Sequence, residues 1–244
     1  LRGAAPRGAT LAPAPAGLPV STAVEAPSVL VGDTMEALAA LGRASRARTS
    51  AAVIGVTGSV GKTSTKEALF AALDRGAPGR VHRSVKSYNN HTGVPLSLAR
   101  MPRDACYAVF EMGMNHAGEL EALTALVRPQ VAIVTAIASA HREFFASEEA
   151  IADAKAEIFT GLEPGGTAIV PFDSPHRDRL IAAARPHAER VVTFGLGDGA
   201  DVRAAYQVRA QSGGTMVTAI LPEGQLSFTI SQPGEHWVTN ALAV

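Results

Sequence analysis

The sequence predicts an α/β fold: a mostly parallel sheet flanked by helices, carrying a phosphate-binding loop (P-loop), with a small antiparallel sheet added at one edge. Three observations predict it. Short apolar runs alternate with helical patterns between Ala51 and Phe194, as expected of strand–helix units. The first of these runs passes directly into Gly55-Val-Thr-Gly-Ser-Val-Gly-Lys-Thr-Ser64. After Asp201 the hydrophobic period changes to two, with breaks at Gly213-Gly214 and Pro222-Glu223-Gly224, as in antiparallel hairpins.

Residues 1–33 are rich in Pro, Gly and Ala, with weak periodicity, and read as a loop-and-strand remnant of a preceding domain. Asp33 is placed to cap a helix reaching about Arg48, with Met35, Leu38 and Leu41 at helical spacing. Residues 1–48 are therefore expected to be a domain remnant plus a linker helix, and 49–244 a nucleotide-binding domain. Within the latter, Ala51–Val56 reads as a strand and Lys62–Leu73 as a helix. Tyr107–Glu111 reads as a strand, Gly118–Leu126 as a helix and Val131–Ile137 as a third strand. Ser147 caps a helix with Glu148 and Glu149 in its first turn, where carboxylates suit the dipole. Thr167–Val170 and Val191–Phe194 read as strands around a helix near Asp178–Ala184.

Composition narrows the function. With 244 residues, 47% of them hydrophobic, the chain buries a sizeable core. Lys+Arg and Asp+Glu balance at 22 each, so no basic field marks a nucleic-acid or anionic-membrane partner. Cys106 is the only cysteine, which excludes an intrachain disulfide and a multi-cysteine zinc site and suits a reducing, cytoplasmic setting. Val131–Ala138, the longest apolar run, is too short to span a bilayer. Prolines interrupt Leu1–Val20, so it does not read as a signal peptide. The chain starts without Met and stops at Asn240-Ala-Leu-Ala-Val244 in a helical pattern, so both ends are expected to be cuts through a longer protein.

In the Gly-rich segment, glycines let the backbone curl so that N–H groups face phosphate oxygens, and the following helix N-terminus adds partial positive charge. Gly58, Ser59, Val60, Gly61, Lys62, Thr63 and Ser64 are the expected nucleotide contacts, with Lys62 on the β/γ-phosphates and Thr63 on Mg²⁺. The strict motif has glycine six residues before the lysine; here that position is Val56 and the glycine is Gly55. The alternative is a Gly-rich turn with an accidental Gly-Lys-Thr.

Three further residues are candidates. Glu111 ends a strand at the carboxyl edge, where a metal ligand sits beside a phosphate loop; the alternative is a solvated strand-end carboxylate. His141 follows the strand from Val131 and reads either as a structural histidine or as a site residue. Lys155 falls on one stripe with Ile151, Ile158 and Leu162, so it either snorkels to water or works beside the phosphates. Asp153 and Glu157 read as solvated helix positions.

Together these residues resemble the Mur ligases, which build the peptide of bacterial cell-wall precursors. The resemblance rests on Thr57-Gly-Ser-Val-Gly-Lys-Thr63, Glu111, Ala140-His141, Ala154-Lys155, Glu157-Ile-Phe159 and Gly234-Glu-His236 with Asn240, and covers about 33–244. Tyr88-Asn-Asn-His-Thr-Gly-Val-Pro95 and Glu111-Met-Gly-Met-Asn115 look most like the D-alanyl-D-alanine-adding branch. Many relatives carry Asn where this chain has Ala136 and Trp237.

The resemblance implies an ATP-dependent ligase that joins D-Ala-D-Ala to UDP-MurNAc-tripeptide through an acyl phosphate. It implies catalytic roles for Lys62, His141 and Lys155. It places one Mg²⁺ on Thr63 and Glu111, and a second on His141 and a carbamylated Lys155. Asn240 would face the adenine, and Asn89 and Asn90 the UDP-linked substrate. The chain would be a monomer lacking the family's C-terminal domain, and inactive alone. The other readings are a different Mur-type ligase, folylpolyglutamate synthetase, or a nucleotide-binding module without catalysis.

Overall fold

The computed structural model describes residues 29–138, 145–209 and 214–244. The elements are α1 (Thr34–Ala47), β1 (Ala52–Thr57), α2 (Lys62–Gly76), β2 (Val81–Arg83), α3 (Gly93–Ala99), β3 (Tyr107–Glu111), α4 (Glu119–Val127) and β4 (Val131–Val134). There follow α5 (Glu148–Ala156), a 3-10 turn (Glu157–Gly161), β5 (Thr167–Pro171), α6 (Arg177–Ala184), β6 (Arg190–Gly195), β7 (Val202–Arg209), β8 (Thr215–Leu221), β9 (Gly224–Ile230) and α7 (Glu235–Leu242).

The strands form one sheet in the order β2-β3-β1-β4-β5-β6-β7-β8-β9. Pairing is parallel from β2 through β7 and antiparallel from β7 to β9. The hairpins expected after Asp201 thus continue the main sheet. Side chains alternate between two cores. Val53, Phe110, Ala132 and Val134 face a core shared with Val94 and Leu98 of α3, Leu120 and Leu123 of α4, Ile151 of α5 and Leu180 of α6. Ile54, Val56, Val109 and Ile133 face the other, with Leu69 of α2 and Val238 and Leu242 of α7.

The parallel register aligns strand ends: Val56 lies beside Glu111, and Thr57 beside Val134. The loops after β1, β3 and β4 therefore leave the same sheet edge, where ligands of open α/β sheets bind.

Several boundaries differ from expectation for identifiable reasons. β4 stops at Val134, three residues short of Ile137, because the chain turns under the loop after β1 and Thr135 bonds there. The helix begun by Ser147 narrows to a 3-10 turn after Ala156. The Thr124 hydroxyl donates to the Ile158 carbonyl at 2.9 Å, and α4 crosses Gly161 so closely that a Cβ there would lie 2.5 Å from the Thr124 carbonyl oxygen. Glu157 is not simply solvated: it caps α4, accepting from Gly118 N at 2.7 Å and Glu121 N at 3.2 Å. Asp153 pairs with Arg179 of α6.

β2 and α3 carried no signal in the sequence pattern. Helix α1 is capped by Asp33, whose carboxylate accepts from Met35 N and Glu36 N. It packs on α3 through Gly42, with Ser45 and Arg46 buried, while Met35 and Leu41 of the expected apolar stripe are exposed. Among the described residues no helix is long and apolar enough to cross a membrane.

Candidate nucleotide and metal site

β1 runs through the middle of the sheet and ends at Thr57, and α2 begins five residues later. Two glycines make that turn possible. Gly61 (φ 88°) precedes α2 in a left-handed conformation that L side chains avoid. A Cβ on Gly58 would overlap the Thr135 hydroxyl. The helix opens with no side-chain cap, so its first-turn N–H groups remain available to an anion.

The loop is fastened from below. The Thr135 hydroxyl donates to the Val60 carbonyl at 2.6 Å, and Ser59 N donates to the Ala136 carbonyl at 2.7 Å. The Ser59 side chain bonds inward to the Ala138 backbone, and the Val60 side chain faces out. Both residues shape the cradle through their backbones. Ser64 donates to the Gly61 carbonyl at 2.9 Å and receives Asn240 Nδ2 at 3.3 Å. Asn240 thus reaches from α7 onto the turn between β1 and α2.

The Lys62 side chain folds back across the loop, its ammonium 2.7 Å from the Gly58 carbonyl. Burial pushes its pKa down, and Glu111 opposes that shift. The Thr63 hydroxyl donates to Glu111 Oε2 at 2.9 Å. Glu111 is 1% exposed, and its other oxygen accepts from Asn89 Nδ2 at 2.8 Å. Lys155 is 1% exposed, with Ile151 and Ile158 buried alongside it. Burial, and secondarily the charge of Lys62, lowers its pKa to about 7.

The sheet edge therefore gathers Lys62, Thr63, Glu111 and Lys155. Asn89 and Asn90 diverge: Asn89 turns to Glu111, while Asn90 Oδ1 accepts from Thr92 N and Gly93 N to open α3. Both line a cavity of about 350 Å³ with Asn115 and Glu119. His141 lies outside the described residues. Lys66, fully buried and 3.6 Å from Glu111 Oε2, escaped the sequence reading. It is one of only four lysines and lies one helical turn beyond Lys62, so the spacing argument used for Lys155 would have found it.

Among the described residues no group of three His, Cys, Asp or Glu converges. The Thr63 hydroxyl and Glu111 carboxylate nonetheless fit Mg²⁺. It prefers hard oxygens, and commonly takes one or two carboxylates and completes its shell with phosphate and water.

The chain matches the model of the Mur ligase middle domain over residues 56–244. It is 38% identical over 216 residues to the UDP-N-acetylmuramoyl-tripeptide–D-alanyl-D-alanine ligase of Bacillus subtilis (strain 168), covering 88% of this chain and 45% of that protein. The enzyme of the same name from Escherichia coli (strain K12) is 36% identical over 220 residues, covering 90% and 48%. Among solved structures, MurF from Acinetobacter baumannii superposes with a TM-score of 0.81 at 34% identity, covering 88% of this chain and 46% of that one. MurF ligase from Thermotoga maritima in complex with ADP gives 0.77 at 27%, covering 88% and 49%. The chain spans about half the length of these relatives. With the uncapped helix and its acidic partner at the shared strand edge, this match establishes that the chain belongs to the Mur ligase family, as a Mur ligase middle domain.

Proposed function

We propose that the chain is the ATP-binding part of an ATP-dependent amide ligase joining D-Ala-D-Ala to UDP-MurNAc-tripeptide through an acyl phosphate. Residues 49–244 are its central domain, and 1–48 the remnant of a UDP-substrate domain with a linker helix. The observation that carries this reading is the Thr63–Glu111 contact beside Lys62, at the foot of an uncapped helix. The printed names of the relatives support the choice of substrates.

In this reading the N–H groups around Gly58–Gly61 and the first turn of α2 bind phosphate oxygens, and Lys62 moves from the Gly58 carbonyl to the terminal phosphates. Thr63 and Glu111 hold Mg²⁺, which when bound offsets charge on the phosphoryl oxygens. His141 and Lys155, the latter as its carbamate, serve a second ion. A pKa of about 7 leaves much of the Lys155 amine neutral at neutral pH, the form that adds CO₂. Asn240 contributes to the nucleotide side, and Asn89 and Asn90 border the tripeptide path. A tripeptide carboxylate oxygen attacks the γ-phosphorus as its bond to ADP breaks. The dipeptide amine then attacks the acyl carbon, losing a proton as phosphate departs. The protein's share is positioning and charge placement.

The complete protein, given ATP, Mg²⁺ and both substrates, should release one ADP and one phosphate per amide formed. Hydroxylamine in place of the dipeptide should trap the tripeptide hydroxamate. ATP turnover that ignores the tripeptide, or preferential addition of a single amino acid, would overturn the proposal.

A further inference from the structure

Lys66 is 0% exposed, and its ammonium meets oxygens from three segments. The Lys86 carbonyl accepts from it at 2.5 Å, Glu67 Oε1 lies at 3.3 Å and Glu111 Oε2 at 3.6 Å. Of the three, the Lys86 contact is a hydrogen bond and the two carboxylates are ion-pair partners. Lys86 itself is left-handed (φ 53°), an uncommon conformation for a non-glycine residue, and it precedes Asn89 by three positions. Asn89 in turn holds Glu111 Oε1, and its carbonyl accepts from Gly113 N at 2.7 Å. The Glu111 carboxylate is thus gripped from two sides, by α2 through Thr63 and Lys66 and by the 84–90 segment through Asn89.

We propose that Lys66 is a positioning residue, which fixes the Glu111 carboxylate against the phosphate-loop helix and ties it to the segment bearing Asn89. The inference rests on Thr63 and Glu111 being the metal-holding pair. Its logic is geometric. Glu67 pairs with Lys66 but is shared with Arg83 at 3.0 Å, so it offsets only part of the positive charge beside Glu111. A well-packed apolar side chain would serve fold stability about as well as a buried ion pair. What only the ammonium supplies is a directed link: it donates to the Lys86 carbonyl while its charge faces Glu111 Oε2 at 3.6 Å.

The test uses the complete protein, Mn²⁺ as the metal probe and ADP as the nucleotide, with bound Mn²⁺ read by electron paramagnetic resonance. Lys66→Met combined with Glu67→Gln removes the ammonium and a compensating carboxylate together, so net local charge is unchanged. This pair should weaken Mn²⁺ at least tenfold in the presence of ADP, while metal-free ADP affinity stays within threefold. Glu67→Gln alone should stay within threefold on both measures. In a Glu111→Gln background the Lys66 change should cost nothing further, since it acts through Glu111. If the Met variant does not fold, Lys66→Gln is read instead, and the same tenfold loss is expected. Mn²⁺ affinity within threefold of wild type, or losses that add in the Glu111→Gln background, would overturn the inference alone. A Glu111→Gln protein that keeps wild-type Mn²⁺ affinity would overturn the reading of Glu111 as a ligand, and this inference with it.

Discussion

Lys155 lies close enough to Lys62 for the charge of one to depress the proton affinity of the other, on top of the larger effect of burial. The folded pKa of Lys155, about 7, is below its ordinary 10.5, so between these values the unfolded chain binds the extra proton. Stability therefore rises with pH across that window, and the penalty is complete below about 7. In CO₂-free buffer, Lys155→Met is expected to stabilise the protein by on the order of several kcal/mol at pH 6. The gain should shrink towards zero as pH rises from 7 to 10.5. Urea denaturation across that range checks it, and a gain independent of pH would assign the effect to packing.

His82 contributes on the acid side. Its Nε2 meets the Ser97 carbonyl at 2.8 Å and its ring lies 5.7 Å from that of Phe110. Burial lowers its pKa below 6.5, and the Ser97 contact only partly opposes this. As pH falls through 6.5 the unfolded chain takes up the proton first. The stability is complete above 6.5 and is lost towards the lower folded pKa. His82→Gln, which keeps a donor for Ser97, should lose less melting temperature than wild type between pH 7.5 and 5. Equal losses would mean that other groups govern acid unfolding.

Gly58 and Gly61, in the turn between β1 and α2, should tolerate alanine unequally. At Gly61 the new Cβ would lie 2.6 Å from Asn240 Oδ1, the end of a side chain that is able to move, in a backbone costing about 1–2 kcal/mol. Gly61→Ala should fold and bind ADP at least tenfold more weakly. At Gly58 the Cβ would overlap the Thr135 hydroxyl, which anchors the Val60 carbonyl. Gly58→Ala should therefore lose more stability than Gly61→Ala in denaturant melts, and the reverse order would refute this account of the loop.

What the sequence revealed depended on how local the cause was. The strand–turn–helix around Lys62, the limits of β3 and the caps Asp33 and Ser147 are written in adjacent residues. β2 has three half-buried residues and exists because β3 pairs with it. α3 opens with Gly93, a weak helix former, and becomes viable through Asn90 and the burial of Val94 and Leu98. At the site, Lys155 betrayed itself by interrupting an apolar stripe. Lys66 shares a similar stripe with Leu69 and Leu73, but its partners Glu111 and Lys86, like the Val60 partner of Thr135, lie far away in sequence, so their roles emerge only in the fold.

Arg46 offers a test of how α1 is held against α4. It is buried, and its guanidinium donates to the Val127 carbonyl at 2.8 Å and the Arg128 carbonyl at 2.7 Å, satisfying the end of α4 where Arg128 turns left-handed (φ 49°). A positive group at a helix C-terminus also suits the dipole. Arg46→Met would fill similar space and leave both carbonyls unbonded, at a cost of roughly 2–4 kcal/mol. Arg46→Lys, with a single ammonium, should fall between. The end of α4 leads into the start of β4, at the sheet edge opposite the phosphate loop, so ADP affinity should stay within threefold. Urea denaturation paired with ADP titration makes the measurement. Full stability in Arg46→Met would show that α1 is held by its packing on α3 instead.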